Sequence, residues 1–166
     1  AVGLLLGETP ELIAQGLVSY QASGMRQNIY EQDGYQIYAD CYNASPDAME
    51  ATLSVLGGMA GEGRRFAVLG SMLELGDYAE EGHRRAGRAA AQYADALYAY
   101  GPDAAAMVAG AREKGMEHAY AFDDQTALVA ALREDVKKGD ALLFKGSRGM
   151  RMERALAMFL GEEVEA

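Results

Sequence analysis

Short apolar segments typical of buried strands alternate with longer segments of helical periodicity along most of the chain. The strand-type segments are Phe66–Leu69, Ala96–Tyr100, Ala119–Phe122 and Ala141–Phe144. The helical segments around them are Ser45–Ala60, Tyr78–Tyr93, Asp103–Lys114, Asp123–Lys137 and Arg148–Leu160. Strands joined by helices of this length pair in parallel, and the helices cover both faces of the sheet. The alternation therefore predicts an α/β fold built on a mostly parallel sheet.

Two further strand-type segments, Arg26–Gln32 and Tyr35–Cys41, precede this alternation. Only Asp33-Gly34 separates them, and this dipeptide is favoured in tight hairpin turns. We therefore expect an antiparallel hairpin at one edge of the sheet. An earlier helix is predicted to begin at Thr9-Pro10-Glu11, where Thr provides a cap and Pro suits the first turn. Residues 1–22 are expected to be an appendage to the α/β unit.

Length, charge and cysteine content narrow the class of protein. The 166 residues suit one domain, and the net charge of −10 argues against binding nucleic acid or an anionic membrane. The single cysteine, Cys41, excludes an internal disulfide and is typical of a reducing compartment. The apolar run Val2–Leu6 is too short to cross a bilayer and lacks the basic flank of a signal peptide. We expect a cytoplasmic protein, and a chain that starts at Ala1 suggests a piece of a longer one.

Several common ligand motifs are absent from the sequence. It contains no G-x-x-x-x-G-K-[ST] phosphate loop, and the glycine-rich stretch Gly58–Gly63 is predicted to end a helix instead of opening one. His83, His118 and Cys41 are too scattered along the chain to suggest a zinc site, so no metal ligands are predicted. His83 is expected to lie on a helix surface.

The stretch Asp40–Glu50, which reads DCYNASPDAME, is the first candidate site. It follows a predicted strand, and open α/β sheets bind ligands at the carboxyl ends of their strands. Asp40 can accept from a ribose hydroxyl, and Asn43 can both donate and accept, as recognition of an adenine edge requires. The alternative is that Asp40 and Asn43 only brace the turn. For Ser45 and Pro46 we favour a purely structural role at the start of a helix.

Two other loops are candidate ligand sites because of their composition. Lys145-Gly146-Ser147-Arg148-Gly149 follows a strand and is predicted to open a helix, so its amides and charges favour an anion. A capped surface helix with solvated bases is the less favoured alternative. Gly70–Gly76 contains Met72, Leu73 and Leu75, which either pack under a ligand or a neighbouring domain or fold back onto the core. Arg26 taken alone indicates little.

Four segments in the same order resemble the C-terminal third of the Mur ligases. They are Gly24-Met25-Arg26, Asp40–Met49, Ala67–Gly76 and Phe144–Met150, the last followed by Met152-Glu153. The resemblance runs through nearly the whole chain. Its most specific parts are the Leu-Gly-x-Met-Leu-Glu-Leu-Gly and Lys-Gly-Ser-Arg segments. Residues 1–22 resemble the end of the central ATPase domain of that family, and residues 23–166 resemble its Rossmann-like C-terminal domain.

The resemblance implies an ATP-dependent acid–amino-acid ligase of three domains. The resemblance is to the member of the family that joins D-Ala-D-Ala to UDP-N-acetylmuramoyl-tripeptide, whose carboxylate is first activated as an acyl phosphate. ATP and Mg²⁺ would be bound mostly by the central domain, over which the C-terminal domain closes. The partners would thus be the two substrates and the N-terminal and central domains of the same chain.

The resemblance also suggests roles for individual residues. Arg26 matches the catalytic arginine that reaches the γ-phosphate and stabilises the transferring phosphoryl group. The residues expected to contact the nucleotide are Asp40, Tyr42 and Asn43. The residues expected to bind substrate, near either the incoming dipeptide or the acyl acceptor site, are Lys145, Ser147 and Arg148.

The sequence departs from the family pattern at two positions. Ser45 stands where the family more often has Asn, and a helix cap survives this change. Ser71 stands where the family more often has Asp, so this chain has no carboxylate for a substrate contact at that position. Because the phosphate loop and the Mg²⁺ ligands are missing, the chain alone is expected to be inactive.

Two alternative functions remain open at this point. One is a sibling ligase that adds a single amino acid; such a relative is expected to carry an Asn-Pro-Arg signature near the Lys-Gly-Ser-Arg segment, which is absent here. The other is a non-catalytic module that binds a nucleotide or a partner protein. A long upstream region with a phosphate loop would separate the ligases from the module.

Overall fold

The computed structural model describes residues 2–18, 26–59 and 61–163, and its core is a sheet of six strands. The strands are β1 (Asn28–Gln32), β2 (Tyr35–Asp40), β3 (Arg65–Gly70), β4 (Ala96–Tyr100), β5 (Ala119–Phe122) and β6 (Ala141–Lys145). They lie in the order β1-β2-β6-β3-β4-β5. β1 pairs antiparallel with β2, and every other neighbouring pair is parallel. The prediction of a mostly parallel sheet with an antiparallel edge hairpin is confirmed.

Five helices cover both faces of this sheet, and two more precede it in the described part of the chain. In chain order they are α1 (Val2–Leu5), α2 (Pro10–Val18), α3 (Pro46–Gly57), α4 (Ala79–Tyr93), α5 (Ala104–Glu113), α6 (Gln125–Asp135) and α7 (Met152–Leu160), of which α3 to α7 cover the sheet. α3, α4 and α5 pack on one face, where Leu53, Met107 and Leu143 belong to one cluster of buried apolar side chains. α6 and α7 pack on the other face, where Leu128 and Leu156 are buried. The alternating side chains of β2, β3, β4 and β6 thus fill two separate apolar layers.

Local sequence signals explain two of the boundaries that position the candidate site. Asp33 and Gly34 have φ values of 54° and 85°, so the hairpin turn has positive φ at both central positions, as its residue types favour. The Oγ of Ser45 accepts a hydrogen bond of 3.3 Å from the amide of Ala48, and Pro46 opens α3. Both predictions are confirmed.

The first two helices expose much of their apolar surface. α2 begins at Pro10 as predicted, with a hydrogen bond of 3.3 Å from the Leu12 amide to the Oγ1 of Thr9. Large apolar side chains of this segment are solvent-exposed: Val2, Leu4, Leu5, Leu6, Leu12 and Leu17. The predicted break at Ser23-Gly24-Met25 and the boundary after residue 22 lie outside the described residues. No helix within the described ranges is both long and apolar enough to cross a membrane.

α4 and α5 approach each other closely because each presents a glycine to the other. A Cβ atom built at Gly87 would lie 1.9 Å from the carbonyl oxygen of Met107, and one at Gly110 would lie 2.0 Å from that of Arg84. Neither space can hold a methyl group, since real Cβ contacts are essentially never below 3.0 Å. The two glycines therefore set the distance between the helices.

Replacing Gly110 with alanine should lower the free energy of unfolding by about 1–3 kcal/mol, the usual cost of overpacking. The added methyl group would push α5 away from the Arg84 carbonyl of α4. Urea unfolding of the 166-residue chain measures the effect. Gly61→Ala is the control, because a Cβ there meets nothing within 4 Å. Equal stability of the two variants would show that the helices separate at no cost.

Candidate functional site

The loops that follow β2 and β6 leave the sheet in opposite directions. The two strands are parallel neighbours with Asp40 in register with Lys145, the last residue of each strand. The chain then passes to α3 on one face and to α7 on the other face. A crevice between diverging loops at the carboxyl edge is the usual ligand site of an open α/β sheet. The topology therefore brings the Asp40 and Lys145 loops together as one candidate site.

A buried ion pair joins the two strand ends. The Nζ of Lys145 lies 2.5 Å from the Oδ2 of Asp40, and both side chains are almost completely buried. Lys145 also donates to the carbonyl oxygen of Asn43 at 2.9 Å, and the Oδ1 of Asp40 accepts from the amide of Gln27 at 3.2 Å. The pair thus ties together the segment entering β1 and the loop leaving β2. The ammonium group of Lys145 uses two of its three hydrogens inside the domain.

Arg26 lies at the exposed rim of this site. Its guanidinium carbon is 3.7 Å from the ring centroid of Tyr42, which is a cation–π contact between two exposed side chains. The next residue, Gln27, has a φ of 50° and donates its amide to Asp40. The position of the Arg26 backbone therefore depends on the buried ion pair behind it.

Asn43 supports its own loop and keeps donor capacity. Its Oδ1 accepts from the amide of Ala44 at 2.9 Å, and the side chain is exposed. Among the described residues, none accepts a hydrogen bond from its amide nitrogen. Asp40 and Asn43 therefore both brace the turn, and Asn43 still presents a donor to solvent.

The segment that begins at Lys145 does not open a helix as predicted. A short 3₁₀ turn covers Arg148–Met150, and α7 starts only at Met152 after Arg151, whose φ is 47°. The amide side chain of Gln125 supports this turn by donating to the carbonyl oxygens of Met150 at 2.8 Å and Arg151 at 3.2 Å. Residues 145–149 consequently lack the favourable helix dipole that was predicted for them.

Ser147 and Arg148 point to different surroundings. Ser147 is buried, and its Oγ accepts from the amide of Leu73 at 2.9 Å. Arg148 is exposed and forms an ion pair of 2.7 Å with Glu153. Ser147 is thus part of the packing between two loops, whereas Arg148 remains on the surface near the carboxyl edge.

The loop Gly70–Gly76 lies beside this segment, and its apolar side chains differ in burial. Met72 is buried in the core, whereas Leu73 is 40% exposed. Ser71 is fully buried: its amide donates to Tyr100 at 2.9 Å, and its Oγ accepts from the amide of Asp103 at 3.0 Å. In this chain Ser71 therefore connects loops instead of offering a side chain to a ligand.

His83 is buried, so its predicted position on a helix surface is wrong. The imidazole of His83 is fully enclosed beneath the loop, where its Nε2 accepts from the amide of Met72 at 2.8 Å. A signal was present in the sequence, because His83 is spaced from Ala86 and Ala90 as residues on one helix face are. Both alanines are buried in the apolar layer under α4.

Cys41 follows Asp40 but is turned into the core. Its Sγ donates to the carbonyl oxygen of Phe144 at 3.4 Å. Burial, assisted by the negative charges of Glu153 and Asp40, raises the pKa of the Cys41 thiol to about 12. The sulfur is therefore an inert, uncharged part of the interior at neutral pH.

The described part of the chain offers no preformed metal site. Nowhere in it do three or more His, Cys, Asp or Glu side chains come together in a way that could hold an ion. The chemistry of the carboxyl edge is instead that of an exposed arginine, an aromatic ring and an amide, all supported by a buried ion pair. Such groups suit a phosphorylated ligand better than a metal.

The sequence profile of the family described as "Mur ligase, glutamate ligase domain" matches residues 25–148 of the chain. This chain belongs to the Mur ligase family. It is 36% identical over 156 residues to the UDP-N-acetylmuramoyl-tripeptide–D-alanyl-D-alanine ligase of Bacillus subtilis, an alignment that covers 92% of this chain and 34% of the relative. The chain spans about a third of the length of the curated relatives it matches.

Solved Mur ligase structures have the same fold. The MurF ligase of Thermotoga maritima, crystallised in complex with ADP, superposes with a TM-score of 0.80 at 34% identity. That match covers 97% of this chain and 36% of the other. MurF from Acinetobacter baumannii gives a TM-score of 0.83 at 30% identity over 97% of this chain and 35% of the other. The chain is therefore similar, over nearly its whole length, to about a third of each of these ligases.

Proposed function

We propose that this Mur ligase domain is the C-terminal part of an ATP-dependent ligase that joins D-Ala-D-Ala to UDP-N-acetylmuramoyl-tripeptide in peptidoglycan synthesis. The observation that carries the proposal is the exposed Arg26 at the carboxyl edge, held by the Gln27 amide on the buried Asp40–Lys145 pair. An arginine fixed in this way is suited to a phosphoryl group bound on a facing domain. The substrates are inferred from the name of the similar Bacillus subtilis ligase.

Residues 1–22 would belong to the central ATPase domain, and residues 23–166 would form the C-terminal domain. The exposed apolar side chains of α1 and α2 support this division, because they would be covered by the rest of the central domain. The central domain would supply the phosphate loop and the Mg²⁺ ligands. The complete enzyme would act in the cytoplasm, where its nucleotide-linked substrate and ATP are available.

In the proposed reaction, the residues around Arg26 and those around Ser147 have different roles. The γ-phosphoryl group of ATP passes to the tripeptide carboxylate, which gives ADP and an acyl phosphate. The amine of D-Ala-D-Ala then attacks the acyl carbon, loses a proton and expels phosphate. Arg26 would stabilise charge on the transferring phosphoryl group, while Asp40, Tyr42 and Asn43 would contact the nucleotide. Ser147 and Arg148 would lie near the dipeptide, and Lys145 would act by holding Asp40 in place.

The experiment that tests the proposal measures ADP release by the full-length protein. The reaction contains UDP-N-acetylmuramoyl-tripeptide and ATP, with either D-Ala-D-Ala or single amino acids as the acceptor. We expect turnover only with the dipeptide. Turnover with a single amino acid would indicate a sibling ligase, and no turnover with any acceptor would favour a non-catalytic binding module.

A further inference from the structure

His83 connects the first turn of α4 to the loop Gly70–Gly76. Its Nδ1 lies 2.6 Å from the carbonyl oxygen of Ala79, and its Nε2 lies 2.8 Å from the amide nitrogen of Met72. The imidazole is completely buried, although the proposed reaction gives it no direct task. Burying an imidazole lowers the stability of the fold unless both of its nitrogens keep their hydrogen bonds.

The two contacts define the tautomer of the ring. A carbonyl oxygen only accepts, so Nδ1 must carry the hydrogen that is donated to Ala79. A backbone amide only donates, so Nε2 must accept from Met72 with its lone pair. The Oδ2 of Asp103, on the neighbouring loop, lies 3.7 Å from the same nitrogen. Since Nε2 carries no hydrogen in this tautomer, the contact with Asp103 is not an ion pair.

The amides of Met72 and Leu73 are held by side chains from two different elements. Met72 donates to His83 of α4, and Leu73 donates to the Oγ of Ser147 beyond β6. The side chain of Leu73 also lies against Gly149, where a Cβ would be only 2.8 Å from its Cδ1. The loop is thus clamped onto the segment that the proposed function places beside the dipeptide.

We propose that His83 is a positioning residue that holds Leu73 and its loop in register for binding of the acceptor dipeptide. The inference rests on the proposed function, because it assigns the acceptor side of that site to this loop. Leu73 is 40% exposed there and presents an apolar surface of the kind that alanine methyl groups would contact. His83 itself touches no substrate and acts only through the Met72 amide.

Two substitutions separate the two hydrogen bonds of the ring. In His83→Gln the longer side chain can place its amide oxygen where Nε2 lies, so the bond from Met72 is retained. In His83→Asn the shorter side chain can place its amide nitrogen where Nδ1 lies, so only the bond to Ala79 is retained. In the full-length ligase, the KM for D-Ala-D-Ala should rise about tenfold in the Asn variant and less than about threefold in the Gln variant. The KM for ATP should be unchanged in both.

The outcomes distinguish this inference from the proposed function. If the wild-type ligase releases no ADP in response to the dipeptide, the proposed function fails. If the wild type is active and the Asn and Gln variants do not differ from each other in their KM for the dipeptide, His83 is merely structural and the inference is overturned. Hydrogen exchange of wild-type protein tests the anchor without any substitution. The Met72 amide should exchange as slowly as those of β3, and rapid exchange would also overturn the inference.

Discussion

Substituting methionine for Lys145 should lower the free energy of unfolding of the chain by about 3–5 kcal/mol, the usual cost of breaking a buried ion pair. The side chain of Lys145 is 2% exposed and that of its partner Asp40 is 10% exposed. Methionine fills a similar volume but leaves the carboxylate of Asp40 without its counter-charge, and the carbonyl oxygen of Asn43 also loses a donor. Urea unfolding monitored by circular dichroism measures the loss.

The control for this prediction is Arg148→Met. Arg148 also forms an ion pair, with Glu153 at 2.7 Å, but its side chain is 63% exposed. Its removal should cost much less than that of Lys145, because water screens the exposed guanidinium and the Glu153 side chain keeps 25% of its surface in solvent. The double variant Asp40→Asn/Lys145→Met should be more stable than the sum of the two single losses predicts. A Lys145→Met variant no less stable than Arg148→Met would show that the pair contributes nothing.

Substituting alanine for Arg26 should reduce the kcat of the full-length ligase by about 10³-fold or more, the range observed for arginines that stabilise a transferring phosphoryl group. The guanidinium charge acts mainly on the transition state, so the KM values for the tripeptide and the dipeptide should change little. Steady-state ADP release at saturating ATP measures both parameters. Arg26→Lys should recover only part of the rate, since an ammonium cannot bind two oxygens side by side.

The matched control for Arg26 is Arg84→Ala. Arg84 lies on α4 and forms surface ion pairs with Glu80 and Glu113. Its loss removes the same charge from the domain without touching the carboxyl edge, so kcat should stay within about twofold, the small change expected of a surface substitution. An Arg26→Ala variant with unchanged kcat would remove phosphoryl stabilisation from the roles of this domain.

The elements of the fold could be predicted from sequence because their signals are local. Asp33-Gly34 provides the turn that joins β1 and β2, and Ser45 caps α3 in front of Pro46. The apolar segments likewise identify the parallel strands without knowledge of their neighbours. Each of these signals involves residues only a few positions apart, so one chain is sufficient to recognise them.

The candidate site could be predicted only in part, since strand pairing assembles it. Asp40 and Lys145 are 105 positions apart and meet because β6 inserts between β2 and β3. Hydrophobic patterns do not encode strand order, so the sequence assigns the two residues to separate nucleotide and substrate sites. The structure joins them in one ion pair, which contacts the Gln27 amide beside Arg26 and the carbonyl oxygen of Asn43.

The late start of α7 was not predictable for a related reason. Arg151 takes a left-handed conformation with a φ of 47°, which residues other than glycine rarely adopt. The carbonyl of Arg151 is held by Gln125, which is 26 positions earlier in the chain. No pattern within the segment itself indicates such a contact.

Cys41 offers an advantage for fluorescence experiments on domain movement. Its sulfur is enclosed and bonded to the Phe144 carbonyl, and its pKa of about 12 leaves almost no thiolate at neutral pH. Maleimide dyes should therefore leave the folded domain unlabelled. A cysteine introduced at an exposed position such as Glu117 would then be the single dye attachment point of this domain. The proposed closure of this domain over a central domain could then be tested by energy transfer without first removing Cys41.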